Sequence, residues 1–353
     1  MDKENFILYS VPNTDKVSGG SRTRIRNVIE VLKTEFRSFI IHGSSFKKLL
    51  KSIKAPRSSI LYVESATNRL KVIDVINLLI LKRKSDVVYV YIRDIYVELF
   101  PEEYNTLRKK ITALFNKLSY YFYALFSDVL CFPTEEMAKG FYQYHPKFPR
   151  RKIFLFPPGT FDIRINRKNE NQELNEIKIS FLYLGGTKYN NSGFKDYLEV
   201  ANQLGDEFTF YVISNDMLDL ETFSCKNVVY LHDLKHFEVI NFIKEKKITF
   251  AIHTRPRNKY DDLTFPIKFL DFISCNLPII TLEHLPLKTM LPSNYPFFVK
   301  KIGIDEILNI VKSIKQDSKL YYNVKEELCA ISFNLRYESK FNEILRCSTI
   351  EDI

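Results

Sequence analysis

Cysteine is scarce and dispersed. The five residues, Cys131, Cys225, Cys275, Cys329 and Cys347, form no CxxC pair. That scatter argues against a disulfide framework and against a metal site, and it fits a reducing cytoplasm. Long hydrophobic runs are missing too: none approaches the ~20 residues that a membrane-spanning helix needs. The opening MDKENFILYS begins with charges and continues as a strand, so no secretory leader is expected. Low-complexity stretches and short repeats are absent. Neither the dinucleotide fingerprint nor the P-loop spacing occurs.

What is present is an ordinary globular composition over 353 residues, 45% hydrophobic and 27% charged. That length suggests two domains, each able to bury a core. The net charge of +10 is unevenly spread. Residues 1–165 hold 28 basic against 16 acidic side chains, and residues 166–353 hold 24 against 26. A basic half points to an anionic lipid, a nucleic acid or a phosphorylated substrate as partner.

Short apolar runs alternate with helical patterns. FILYSVP (6–12), FRSFIIHG (36–43), SSILYVES (58–65), DVVYVYIRD (86–94), VLCFP (129–133) and KIFLFPPG (152–159) read as strands. Helical stretches separate them, among them 18–36, 105–128 and a Thr-capped 134–144. Residues 161–176 are polar and read as a linker. The alternation then restarts with ISFLYLGG (179–186), FTFYVIS (208–214), NVVYLHD (227–233), ITFAIHT (248–254), LPIIT (277–281) and YPFFVK (295–300), and the chain from Asp305 to Arg346 is helical. The expected architecture is α/β: a domain over 1–162, a linker over 163–177 and a domain over 178–353. Both domains are doubly wound and Rossmann-like and face each other across a cleft, with the last helix able to pack back on the first domain.

Several segments carry candidate chemistry. Ser18-Gly19-Gly20-Ser21 follows the first strand and opens a helix, which suits either a tight turn or close approach to an anion. Gly185-Gly186-Thr187-Lys188 repeats that arrangement in the second half. Its backbone, the Thr187 hydroxyl and the Lys188 ammonium suit a diphosphate. Lys195 nearby reads more simply as a solvated side chain. The stretch DDLTFPIKFLDFISCNLPIIT (261–281) sets Pro266, Lys268 and Asp271 among apolar residues. A helix starting near Pro266 would point its free N–H groups at an anion between Thr264 and Lys268. Asp271, one turn on, would accept hydrogen bonds from sugar hydroxyls. The bland reading of the same residues is a surface Lys–Asp pair. Arg93-Asp94 and His253-Thr254-Arg255, with Arg257 close by, end strands. Asp94 suits orientation or deprotonation of a hydroxyl, and Arg93 and Arg255 suit phosphates, while an Arg93–Asp94 ion pair is the structural alternative. FKKLLKSIKAPR (46–57) carries Lys47, Lys48, Lys51, Lys54 and Arg57. The helix at 107–126 carries Arg108, Lys109, Lys110 and Lys117 beside aromatics. Such segments suit a membrane interface, or else a solvated face and a core helix respectively.

PIKFLDFISCNLPII resembles the donor-site signature of family 4 glycosyltransferases of the GT-B fold, many of which read P-x-K-x-x-E-Y followed by small residues and P-V-I. YLGGTK, the first Gly-Gly turn, DVLCFPTEEMAKGF and FLFPPGTF fall in matching places, so the resemblance runs nearly the whole chain in order. It implies a nucleotide-diphosphate-sugar donor. Asp271 would hold the donor ribose, Lys268 with Thr264 and Pro266 the donor phosphates, and Gly186, Thr187 and Lys188 the other flank of the diphosphate. Gly19 and Gly20 would approach donor and acceptor, and Leu231 and His232 would line the base pocket. Two positions depart from the pattern. Leu263 stands where many members have a first Glu. The usual Arg and Lys after the second domain's first strand are replaced by Thr187-Lys188 and Ser192-Gly193. Retention of anomeric configuration is therefore less secure than in the family, and Asp261 or Asp262 is an alternative contact to the sugar.

Taken together, the residues and the resemblance lead to an expected sugar transferase of the hexosyl type in cell-surface glycan synthesis. Asp94, Lys188 and Lys268 are its candidate catalytic groups, and Arg255 and His232 are further donor contacts. No metal and no cofactor is expected. A lipid-linked or polysaccharide acceptor would lie on the basic first domain. Arg93, Lys47, Lys48, Lys51, Arg108 and Lys109 would meet that acceptor or an anionic membrane, giving a cytoplasmic protein peripheral to the inner face. A nucleotide-sugar epimerase of the same fold, a nucleic-acid-binding or -modifying protein and a non-enzymatic partner of another transferase are the alternatives. Nucleic acid is not the expected partner.

Overall fold

The computed structural model describes residues 6–12, 19–65, 70–160, 178–188, 191–218 and 226–349. The linker expected over 163–177 and Ser18 lie outside them, as do the side chains of Gly19, His236 and Thr349. Two compact units emerge. The first comprises 1–159, 263–265 and 335–353, and the second 160–262 and 266–334.

The first unit is built from β1 (Phe6–Ser10), α1 (Gly19–Thr34), β2 (Arg37–Ile41), α2 (Ser45–Lys54), β3 (Ser58–Glu64), α3 (Val72–Lys82), β4 (Ser85–Tyr91), α4 (Tyr96–Leu99), α5 (Leu107–Phe126), β5 (Val129–Phe132), α6 (Glu135–Tyr144) and β6 (Lys152–Leu155). Its six strands run parallel in the order β2-β1-β3-β4-β5-β6. Parallel strands covered on both faces are near-continuous apolar runs, as ILY and VVYVY are here. The helices start at side-chain caps where the sequence supplies them. Thr134 accepts from Met137 N at 3.0 Å, and Glu135 and Glu136 complement the positive end of α6.

The second unit contains β7 (Ser180–Leu184), α7 (Phe194–Leu204), β8 (Thr209–Ser214), β9 (Val228–His232), α8 (His236–Glu245), β10 (Phe250–His253), α9 (Ile267–Ser274), β11 (Ile279–Leu282), α10 (Leu285–Met290), β12 (Phe298–Val299), α11 (Ile304–Gln316) and α12 (Ser318–Asn334). Its sheet is also parallel, ordered β12-β11-β10-β7-β8-β9. Read from the other edge, that is the strand order of a dinucleotide-type fold, with its reversal between β7 and β10.

Two expectations are corrected. The strand over 295–300 shrinks to Phe298–Val299, because Tyr295 turns its hydroxyl onto the backbone of Ile279, accepting from its N–H at 2.7 Å and donating to its carbonyl at 2.9 Å. The C-terminal helix is broken into three. Asp317 interrupts it, its carboxylate accepting from Lys319 N at 3.1 Å. The last piece, α13 (Tyr337–Thr349), belongs to the first unit, where Tyr337, Phe341, Ile344 and Leu345 join the core formed by β1, β3, β4 and α1.

That core encloses a charge. Arg24 of α1 is 1% exposed. Its Nε lies 3.0 Å from Glu64 Oε1, its Nη2 donates to Tyr62 OH at 2.9 Å, and its guanidinium stacks 3.8 Å from the centre of the Tyr91 ring. Tyr9 OH donates to the other Glu64 oxygen at 3.3 Å. The pair ties α1 to the carboxyl ends of β1 and β3.

Candidate functional site

In open parallel sheets, ligands bind beyond the carboxyl ends of the strands where the order reverses. In the second unit that point lies between β7 and β10. The chain leaves β7 through Gly185, whose φ of +130° suits glycine and disfavours other residues. An added Cβ there would sit 3.8 Å from Lys268 Nζ. Lys268 comes from the first turn of α9, with Pro266 as N-cap residue. Its ammonium lies 5.5 Å from the centre of the Tyr183 ring. The side chain is half-buried, and that burial, with the positive charge of Arg255 close by, lowers its pKa to about 8 despite the opposing pull of Asp261.

Arg255 follows β10 and is anchored from behind. Its Nε is 2.8 Å from Oδ2 of Asp261, a carboxylate only 2% exposed. Asn258 donates to the same oxygen and accepts from Asp261 N at 3.0 Å, closing a tight turn. Burial raises the Asp261 pKa, and Arg255 and Asn258 hold it back. Asp262 is gripped by Arg257, with Nε to the two carboxylate oxygens at 2.8 and 3.1 Å. Both acids suggested as alternative sugar contacts are thus paired with arginines. His253 is buried at the end of β10. Its Nδ1 lies 3.3 Å from Thr281 Oγ1, and Nε2 has no protein partner. Burial, Lys268, His284 and Arg255 push its pKa well below the usual value, so the ring is neutral at pH 7.

The Gly186–Lys188 loop is engaged within the second unit. Its donors already have an acceptor: Thr187 N, Thr187 Oγ1 and Lys188 N bond Oδ2 of Asp216 at 2.6, 3.1 and 3.1 Å. Those hydrogen bonds hold the Asp216 carboxyl below its usual range. Asp216 follows β8, the strand beside β7, and was not singled out in the sequence. The motif Ser214-Asn215-Asp216 after an apolar strand is its only signal. The Lys188 side chain is exposed, as is Lys195, and Tyr183 OH donates to Gly186 O at 2.6 Å. His232 ends β9 and is exposed. Asp271 is buried on α9 and is 9% exposed, while Thr264 is buried and groups with the first unit.

One glycine matters for the site's shape. Gly193, the N-cap of α7, has a φ of +66°, and an added Cβ would lie 2.0 Å from the Thr254 carbonyl oxygen. Thr254 Oγ1 also donates to Ser192 O at 2.9 Å. The start of α7 is thus pressed on the end of β10. Gly193→Ala is expected to cost about 2–3 kcal/mol of unfolding free energy by strain and overlap, measured in urea. A cost below about 0.5 kcal/mol would mean that this contact is loose.

In the first unit, Gly19 and Gly20 are already helical, forming the first turn of α1 rather than a loop before it. Arg93 Nη1 donates to Ser21 Oγ beside them, and Arg93 Nε lies 2.8 Å from Asp94 Oδ2. Asp94 is 4% exposed, and its backbone carbonyl accepts from Tyr120 OH at 2.9 Å. Arg93 and Asp94 are therefore an ion pair at the carboxyl end of β4, next to the α1 terminus. Lys47, Lys48 and Lys51 lie on α2, where burial lowers the pKa values of Lys48 and Lys51. Arg108 and Lys109 are exposed at the start of α5.

Chemically, the second unit offers a half-buried ammonium, an anchored guanidinium and a helix start around a glycine turn. Such a recess favours a ligand with two or more negative charges. Among the described residues, no three His, Cys, Asp or Glu side chains form a group suited to a metal ion.

No family model and no curated protein matches the chain. Solved structures do. HepE from Anabaena, in complex with UDP and glucose, is similar over 98% of this chain and 99% of its own, with a TM-score of 0.62 at 12% identity. An alpha-glucosyltransferase bound to UDP and a 13-mer DNA containing an HMU base matches over 98% and 100%, with a TM-score of 0.64 at 12% identity. A glycosyltransferase from Rickettsia africae matches over 98% of each chain, with a TM-score of 0.61 at 11% identity. These likenesses establish the fold, which is GT-B.

Proposed function

We propose that the protein is a nucleotide-sugar-dependent glycosyltransferase of the hexosyl type. The reading rests on one observation: Lys268 and the Asp261-anchored Arg255 converge with the Gly185 turn at the β7/β10 reversal of a GT-B chain. The proposed donor diphosphate sits there, with Asp271 on the donor ribose and Gly186, Thr187, Lys188, Pro266 and His232 around the nucleotide. As the bond between the sugar's anomeric carbon and the diphosphate breaks and the glycosidic bond forms, negative charge grows on the leaving group. Lys268 and Arg255 offset that charge. Lys188 helps to offset it once the diphosphate displaces Asp216 from the loop donors.

The Arg93–Asp94 pair beside Gly19 and Gly20 orients the acceptor hydroxyl. The acceptor is a lipid-linked or polysaccharide intermediate in cell-surface glycan synthesis, and the sugar is transferred with retention. Lys47, Lys48, Lys51, Arg108 and Lys109 draw the first unit to an anionic membrane on its cytoplasmic side. No helix among the described residues is long and apolar enough to cross a membrane.

The test is a thermal-shift panel of UDP, GDP, CMP and ADP. One nucleotide should stabilise the protein, by about 2.7 kcal/mol at a hundredfold excess over Kd. UDP is expected to be that nucleotide, since HepE and the alpha-glucosyltransferase are solved with it. No shift with any member would overturn the donor site.

A second reading is favoured by the DNA-bound neighbour and the basic first half: sugar transfer to a DNA base. It predicts duplex binding that falls steeply with salt. The exposed leucines of α5 favour lipid instead, because phosphate backbones are met by Lys and Arg rather than by Leu.

A further inference from the structure

We propose that a cavity of about 360 Å³ between α4 and α5 is the head-group site for a hydrocarbon-anchored sugar phosphate. The inference rests on the transferase reading, for which it names the acceptor class. The cavity is lined by Val97, Glu98, Tyr104, Lys110, Leu114 and Lys117, among others. Tyr104 of its wall lies within the electrostatic reach of Asp94, which links the cavity to the proposed acceptor pair.

Three observations define the ligand. The first is Glu98. Its side chain is 9% exposed, and Oε1 lies 3.1 Å from Nε2 of His145, a ring stacked on Phe148 with centroids 4.3 Å apart. The other oxygen, Oε2, is buried and has no partner. A buried carboxylate oxygen without a donor is costly, and a ligand hydroxyl would satisfy it. The second is a pair of cations. Lys110 and Lys117 stand seven residues apart, two turns of α5, on the same face and on either side of Leu114. Both are exposed and suited to a phosphate.

The third is an apolar path away from the cavity. Leu107, Ile111, Leu114, Leu118, Tyr121 and Leu125 recur at alternating steps of four and three along α5, and all are 41–77% exposed. Leu114 belongs both to this stripe and to the cavity wall. Phe46, Leu50 and Ile53 on α2, and Val72, Ile76 and Leu79 on α3, are exposed with the same spacing. The three helices are neighbours: Asn77 Nδ2 of α3 donates to Ser45 O of α2 at 3.2 Å, and Lys82 Nζ of α3 to Phe126 O of α5 at 2.5 Å. A surface of exposed apolar rows edged by lysines is complementary to an anionic lipid layer. Hydroxyls at Glu98, a phosphate at Lys110 and Lys117, and a tail along the α5 stripe make one amphiphile.

The test measures binding by calorimetry, without donor or turnover, for three probes: glucose phosphate carrying a farnesyl tail, farnesyl phosphate, and glucose 1-phosphate. The tailed sugar phosphate should bind at least tenfold more tightly than either fragment. Glu98→Gln should weaken it about tenfold while leaving farnesyl phosphate unchanged. Lys117→Glu, at an exposed position, should weaken both tailed probes and remains informative if Glu98→Gln does not fold. Equal affinity of wild type for the tailed sugar phosphate and for farnesyl phosphate would overturn the sugar pocket. Equal affinity for glucose 1-phosphate and its tailed form would overturn the lipid anchor. Failure of all three probes alongside a UDP-induced thermal shift sinks this site and leaves the transferase reading standing. Probe binding without any nucleotide shift does the reverse.

Discussion

Replacing Lys268 by alanine should lower kcat/KM for sugar transfer by about 100- to 1000-fold, the usual cost of removing one group that stabilises a developing negative charge. The fold should survive. Lys268 is charged in a half-buried position beside Arg255, so the native state bears an electrostatic cost that alanine relieves. The pH profile makes the assignment sharper. With a pKa near 8, Lys268 is charged below that pH and loses its charge above it, so kcat/KM should fall on the alkaline side of about pH 8. Lys268→Arg keeps the charge at all these pH values and should abolish that limb even if it lowers the plateau. Stability should move the opposite way. The unfolded lysine holds its proton up to its ordinary pKa of about 10.4, so between about 8 and that value the unfolded state binds more protons. In that window the Lys268 contribution to unfolding free energy rises with pH. An alanine variant within threefold of wild-type turnover would remove Lys268 from the leaving group.

The fold was largely legible because parallel strands announce themselves. Apolar runs such as ILYV and FLYL, each followed by a helical pattern, admit few other arrangements. The segment from Pro266 to Asp271 stood out for a related reason: a lysine and an aspartate among apolar neighbours call for an explanation that a solvated face does not supply. What escaped depends on strand order. Asp216 caps the Thr187–Lys188 loop only because β8 lies beside β7, and nothing local to either segment says so. Arg24 and Glu64 stand 40 residues apart and meet because β3 pairs with β1. Helix α13 packs on the first unit, a placement the sequence left open, because an apolar face by itself does not say which of two cores will receive it. Helix α5 posed a true ambiguity, since core and membrane surface were both open. It is apolar on two faces: Tyr120, Tyr123, Ala124 and Phe126 are buried, while the leucine row from Leu107 to Leu125 faces water. A pattern that is hydrophobic nearly all round loses its phase, and with it the information about which side is inside.

The largest stability loss is expected from the buried pair in the first unit. Arg24→Met should cost about 3–5 kcal/mol, because Glu64 would remain buried with its cationic partner gone. Glu64→Gln should cost a similar amount by stranding Arg24 under the aromatic rings of Tyr91 and Phe156. The double variant Arg24→Met with Glu64→Leu should lose much less than the sum, since it removes both desolvation penalties together. Urea unfolding of the two single variants and the double closes that cycle. The buried Nη1 of Arg24 has no acceptor, which adds to the cost of keeping the pair and favours the apolar replacement. Persistence of so costly a pair needs a reason beyond stability, and its position supplies one. Arg24 lies in α1, the helix whose first turn holds Gly20 and Ser21 beside Arg93 and Asp94. Pinning α1 to Glu64 fixes the register of that turn against the end of β4. The double variant should therefore melt near the wild-type temperature yet transfer sugar poorly, with KM for the acceptor raised and donor binding by thermal shift intact. Additive single effects, or a double variant with unchanged acceptor KM, would reduce the pair to an incidental feature of the core.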